Sequence, residues 1–139
     1  MKKKLLIIPL IVFLIACKEK NNLAPETGIV GKWRLISYCQ PSGGLASGCI
    51  PKTVPNDKAV FVEFSDNGKF EETYQNTIPA EYSFLGCGAG GYKIENGDVR
   101  IKAICMSSLE GKLVEINSIT NKKLILKTYF VGEYIFEKE

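Results

Sequence analysis

Fifteen carboxylates, eighteen basic side chains and no histidine bound the chemistry open to this chain of 139 residues. Histidine is the usual general base near neutral pH and the commonest metal ligand, so any acid–base chemistry falls to carboxylates. Glu63, Glu71 and Glu72 lie close together around one hairpin. Glu71 and Glu72 are consecutive in a strand-like stretch and point to opposite faces, which prevents them from acting as a pair. Glu72 shares the parity of Phe70 and Tyr74 and so turns inward. An inward carboxylate is either a ligand-binding group, a sign that the register is broken, or a residue at the mouth of the fold; the last two are favoured. Gly86-Cys87-Gly88-Ala89-Gly90-Gly91 has the G-x-G-x-x-G spacing of a phosphate-binding turn. That turn works when a helix starts at its last glycines. Here Tyr92-Lys93-Ile94-Glu95 reads as a strand, so the glycines read as a flexible connection. No catalytic residue, cofactor or metal site is expected, and the chain is not expected to be an enzyme.

Cysteine offers the more specific chemistry. The chain starts Met1-Lys2-Lys3-Lys4, runs through an apolar stretch from Leu5 to Ala16 interrupted by Pro9, and reaches Cys17. A cationic start, a short apolar run and a small residue form a secretory signal, too short for a spanning helix of roughly 17–25 residues. Leu14-Ile15-Ala16-Cys17 resembles the bacterial lipobox. The resemblance implies removal of residues 1–16, a diacylglycerol on the Cys17 thiol and further acylation of the new amino terminus. Two or three acyl chains, at roughly 0.8 kcal/mol per buried CH₂, make a durable membrane tether. The expected location is the bacterial cell envelope, lipid-anchored, on the periplasmic or surface face of the outer membrane. Lys18 and Glu19 add a weak likeness to surface-sorting signals of Bacteroidetes lipoproteins. Removing Lys2, Lys3 and Lys4 takes the basic count from 18 to 15, equal to the 15 acids, so the whole-chain charge of +3 vanishes. A neutral mature chain gives no electrostatic reason to bind nucleic acid.

Four cysteines remain: Cys39, Cys49, Cys87 and Cys105. Export puts them in an oxidising compartment, where an even number reads as two disulfides with three connectivities open. The sequence-local pairing, Cys39–Cys49 and Cys87–Cys105, is preferred because each bridge closes a glycine-rich excursion between strands. Bridging about 15 residues removes roughly 3 kcal/mol of unfolded-chain entropy. A Cys₄ zinc site is discounted, since the close C-x₂₋₄-C ligand pairs are missing.

The elements that would position these groups are strands. Residues 18–27 are polar and lack a period, reading as a flexible part of the tether 17–27. From 28 to 139 one domain is expected, with strands over 31–38, 59–65, 69–75, 81–85, 91–95, 98–104, 112–118, 123–129 and 133–138, and a long pinned loop over 39–56. Period-two alternation carries most of them: Val60, Val62 and Phe64 against Phe61, Glu63 and Ser65, for example. Asp66-Asn67-Gly68 and Asn96-Gly97 are tight-turn signals. No convincing helical period follows the signal, and Ser107-Ser108-Leu109-Glu110 allows one turn at most before Gly111. The prediction is an all-β, antiparallel up-and-down barrel of about 8–9 strands.

Gly31-Lys32-Trp33-Arg34-Leu35 on the first strand resembles the opening of lipocalins and of lipocalin-like lipoprotein domains. The likeness continues through the Phe64-Ser65-Asp66-Asn67-Gly68-Lys69-Phe70 hairpin, Gly91-Tyr92-Lys93-Ile94, Lys123-Leu124-Ile125-Leu126 and Tyr134-x-Phe136. Together these are similar to the small lipocalin-like domains of Bacteroidetes lipoproteins. That resemblance implies a Trp33 packed across the closed end of a barrel, but no long C-terminal helix follows here. Leu85-Gly86-Cys87 and Ile104-Cys105 give a weaker similarity to META-type domains of heat-induced lipoproteins. Trp33, Phe64, Phe70, Tyr74, Tyr82, Phe84, Tyr92, Tyr134 and Phe136 are the expected core or ligand-facing residues. Two functions follow: a barrel holding a small apolar or amphipathic ligand, or a filled barrel presenting its loops to an envelope protein.

Overall fold

A computed structural model describes residues 22–41, 48–128 and 131–139. The expected signal, Cys17, residues 18–21 of the tether, the middle of the 39–56 loop and Tyr129 lie outside the described residues.

Nine strands form one antiparallel sheet: β1 (Gly31–Pro41), β2 (Cys49–Thr53), β3 (Ala59–Phe64), β4 (Lys69–Gln75), β5 (Ala89–Glu95), β6 (Asp98–Ala103), β7 (Lys112–Ile119), β8 (Lys123–Thr128) and β9 (Val131–Lys138). Each strand from β3 to β9 pairs with the next, and β9 returns to pair with β1. Eight strands thus close into a barrel, which leaves no edge along most of the sheet. The ninth, β2, pairs with the outer half of β1, from Ser37↔Thr53 to Pro41↔Cys49, while β3 pairs with the inner half. The outer half of β1 and β2 therefore form a two-stranded ribbon beyond the barrel wall. Pro51 is tolerated there because β2 is an edge strand.

Antiparallel order sends successive connections to opposite ends of the barrel. One end, the base, has the short turns at 65–68, 96–97 and 120–122. The other end, the rim, carries the ribbon and the longer connections 76–88 and 104–111. At the base a short helical turn, α1 (Pro25–Gly28), packs under the sheet. It lies within the segment expected to be tether. There the Leu23 N–H donates to the Ile119 carbonyl at 2.8 Å, and Ile29 is fully buried. The Trp33 indole N–H donates to the Ile29 carbonyl at 2.8 Å, and the Lys138 ammonium sits 4.7 Å from the Trp33 ring centre. The closed end implied for Trp33 is present.

Two strand assignments change. Residues 81–85, expected as a strand, form bends and turns, because the Glu81 and Tyr82 amides turn back to the Ile78 carbonyl and those of Phe84 and Leu85 bond to the Glu72 side chain rather than to a neighbouring strand. Residues 49–53, expected within a loop, form β2, which local hydrophobic alternation could not signal around Pro51. Elsewhere the register holds. Val60, Val62 and Phe64, then Val99, Ile101 and Ala103, then Leu124, Leu126 and Thr128, all face inward and are buried. Cys39–Cys49 and Cys87–Cys105 are the two disulfides, with Cα atoms 5.3 and 5.2 Å apart.

Candidate functional site

The barrel interior is lined from the base upward by rings in mutual contact. Phe64 meets Tyr92 edge-on at 5.0 Å and Phe70 at 5.4 Å. Phe70 lies 6.5 Å from Phe84, which meets Tyr134 at 5.0 Å and Phe136 at 5.5 Å, both edge-on. Tyr134 then stacks on Tyr38 of the ribbon at 5.4 Å. Edge-to-face contacts of this kind add about 0.5–1.5 kcal/mol each beyond burial. Phe84 is the one member of this series from outside the sheet. It belongs to the 76–88 connection and is 4% exposed, so a rim loop delivers the ring that fills the upper barrel.

Glu72 explains how that loop is held. β3 and β4 pair without a bulge, from Ala59↔Gln75 to Phe64↔Phe70, so the expected register error does not occur. Glu72 points inward as its parity requires and is 3% exposed, beneath the rim loop. One carboxylate oxygen accepts from the Phe84 N–H at 2.7 Å and the Tyr74 hydroxyl at 2.7 Å. The other accepts from the Leu85 and Gly86 N–H groups, both at 3.0 Å. Three consecutive amides and a phenol thus converge on one buried carboxylate. This supplies the hydrogen bonds without which a buried charge is very costly. Gly86 and Gly88 take positive φ of 71° and 68°, a conformation glycine adopts without steric cost. Burial, then the bond to Glu72, pushes the Tyr74 phenol well above the usual tyrosine range. Burial alone is the main cause for Tyr134, pushed up to about 12.

The outside of the loop is fastened as well. Lys52 on β2 donates to the Glu81 carbonyl at 2.6 Å and lies 4.7 Å from the Tyr82 ring. Lys58 pairs with the Glu81 carboxylate, and their mutual hydrogen bond raises the lysine and lowers the glutamate from their ordinary ranges. The Cys87–Cys105 disulfide joins its C-terminal end to the 104–111 connection. Large exposed apolar side chains gather on this end: Ile50, Ile78, Ile104 and Leu109. Among the described residues Leu23 alone of that class lies at the base; Leu113 is near the start of β7, on the rim side.

The expected ring residues are therefore brought together with three exceptions. Tyr74 stands at the rim as a partner of Glu72, and Tyr82 lies on the outer side of the loop among lysines. Trp33 sits apart at the base. Sequence reasoning missed Tyr38, the cap on Tyr134, and the role of the Lys52–Glu81 contact. The inward parity of Glu72 was the one signal that could have located the latch. Chemically, Glu72 has both oxygens engaged, which makes it an anchor and not a ready base.

A model of the lipocalin-like domain family matches residues 29–126. Among solved structures, an uncharacterized protein from Bacteroides eggerthii superposes with a TM-score of 0.56 at 21% identity, covering 80% of this chain and 99% of that one. A lipocalin-like protein from Bacteroides uniformis gives a TM-score of 0.52 at 18% identity, covering 81% and 99%. No curated protein matches the sequence. The family match runs from Ile29 to Leu126, from β1 into β8, and the chain belongs to the lipocalin-like domain family.

Proposed function

We propose that this is a lipid-anchored protein of the bacterial envelope whose barrel is a filled platform, presenting its rim to another envelope macromolecule. The observation that carries this reading is Phe84, packed against Phe70, Tyr134 and Phe136 where a small apolar ligand would have to lie. An eight-stranded barrel is narrow enough to be filled by side chains alone. The reading assigns no enzymatic role, since Glu72, the one buried carboxylate among the described residues, is tied to four donors.

The anchor gives the platform an orientation. Leu23 bonds to Ile119 at the base, so a lipid on Cys17 connects to the base through residues 18–22. Five residues span at most about 18 Å at 3.3–3.6 Å each. The base then faces the bilayer, and the rim with Ile50, Ile78, Ile104 and Leu109 faces away. Exposed apolar side chains clustered on one end are the usual mark of an interaction surface.

Native mass spectrometry of the mature protein from its own organism tests the filled barrel. The protein mass alone is expected. A retained small molecule would overturn the reading and restore the alternative of an apolar or amphipathic ligand. Anchoring is tested separately by Cys17→Ser, which should move the protein out of the membrane fraction; unchanged membrane association would refute the lipid tether.

A further inference from the structure

Lys112 is a cation whose position the filled-platform reading leaves unexplained. It opens β7 at the rim, opposite Ile101 of β6. Its parity is that of Val114, fully buried, and of Ile116, packed against the core, so it lies on the inner side of the wall. It is partly buried, and burial is the only influence on its ammonium, which it pushes below the usual lysine range. Other partly buried cations have acceptors. Lys58 has Glu81, Arg100 has Glu95, Lys52 has the Glu81 carbonyl, and Arg34 has the carbonyls of Asn56 and Lys58. Among the described residues no carboxylate pairs with Lys112. Withdrawing a charge from water without a counter-charge is unfavourable, so an anion arriving beside it is favoured.

A groove of about 390 Å³ lies at this amine, walled by the Cys87–Cys105 disulfide and Met106, with Ser107 and Ser108 along it. Gly111, at φ 73°, lets the loop turn close over the Ile101 backbone, where a Cβ would collide with the carbonyl oxygen. The volume is within the range of small-molecule sites. The walls are sulfur and methylene, with the Ser107 hydroxyl able to donate a hydrogen bond to an anion, while the Ser108 hydroxyl donates to the Gly111 carbonyl at 3.4 Å.

We propose that this rim groove binds a small carboxylate ligand, its carboxylate paired with Lys112 and a short apolar portion lying against Met106 and the disulfide. The site is on the rim rather than in the barrel interior, and it depends on neither the lipid anchor nor the filled core.

Met106 is the only methionine apart from Met1, which makes its methyl group a single probe. The experiment is an NMR titration of methyl-labelled mature protein with hexanoate, hexanol and inorganic phosphate. Hexanoate should shift the Met106 methyl saturably, with affinity at least about tenfold above that of either control. Lys112→Met should remove this preference, and Lys112→Arg should keep it, each variant retaining the parent backbone spectrum. Equal hexanoate affinity in Lys112→Met, an unmoved Met106 methyl, or equal binding of phosphate would overturn the proposal.

Discussion

At the base, short turns join consecutive strands, and the segment before β1 docks on the sheet: Ile29 accepts from Trp33, Leu23 bonds to Ile119, and Lys138 lies over the Trp33 ring. At the rim, closure depends on a long connection held by side chains and disulfides. Glu72 holds amides 12 to 14 residues away, Lys52 reaches Glu81, and two disulfides span 10 and 18 residues. The base is thus closed by the fully buried Ile29 and Trp33 beneath short turns. The rim is a separate segment fastened over a filled interior by a carboxylate, cations and covalent bonds. A seal built from polar and covalent fasteners can be loosened one contact at a time, and each can be tested by itself.

The largest effect should come from the base. Trp33→Ala removes a fully buried indole and its hydrogen bond, and should lower unfolding free energy by about 4–5 kcal/mol in urea titrations. A loss under about 2 kcal/mol would mean that the base tolerates a cavity and is not the more rigid end. Phe84→Ala should cost less, about 3 kcal/mol, because the rim loop can settle into part of the space. That variant should also gain affinity for a fluorescent apolar dye such as anilinonaphthalene sulfonate, whereas Trp33→Ala should not when compared under folded conditions. Glu72→Gln should cost about 2 kcal/mol, since an amide presents two hydrogens to backbone donors and leaves at least one of them unpaired. Its signature is local: limited proteolysis should cut within residues 76–88 well before the strands.

The smallest effect is confined to high pH. The Tyr134 phenol is raised from 10.0 to about 12 in the fold. Folding therefore favours its neutral form, and this contribution is complete below pH 10 and lost as pH rises toward 12. The loss corresponds to roughly 2–3 kcal/mol. Melting temperature should fall between pH 9.5 and 11.5, and less steeply in Tyr134→Phe. Equal slopes in the two proteins would remove Tyr134 as the cause.

The base was more legible in the sequence than the rim, and the reason is physical. Gly31-Lys32-Trp33, the period-two alternation of β3, β6 and β8, and the Asn-Gly turns are local signals acting on neighbouring residues. Residues 81–85 carry Tyr82 and Phe84 with the same alternation, yet they form no strand, because the Ile78 carbonyl takes the Glu81 and Tyr82 amides and the Glu72 carboxylate captures those of Phe84 and Leu85. Nothing in the spacing of Phe84 and Glu72 announces that bond. The parity of Glu72 flags an anomaly, with a register fault or a place at the mouth as the favoured readings; the ladder excludes the fault, and the donors that explain the inward carboxylate come from a loop the parity says nothing about. The sequence-local disulfide pairing is present in the fold: Cys39–Cys49 closes the β1–β2 ribbon, and Cys87–Cys105 ties together the two rim connections that flank the β5–β6 hairpin. Lys112 left no trace, as a lysine at a strand end is ordinarily solvated.

The central claim is that a carboxylate-latched loop plugs the rim. Amide hydrogen exchange at Phe84, Leu85 and Gly86 measures the latch directly, since these three N–H groups bond to Glu72 and to no strand. They should exchange at least about a hundredfold more slowly than unprotected amides, a local opening cost near 2.7 kcal/mol or more. Glu72→Gln should abolish that protection while leaving the amides of β1 and β9 unchanged. Fast exchange at all three positions in the unmodified protein would contradict the latch and reopen the barrel interior as a binding cavity.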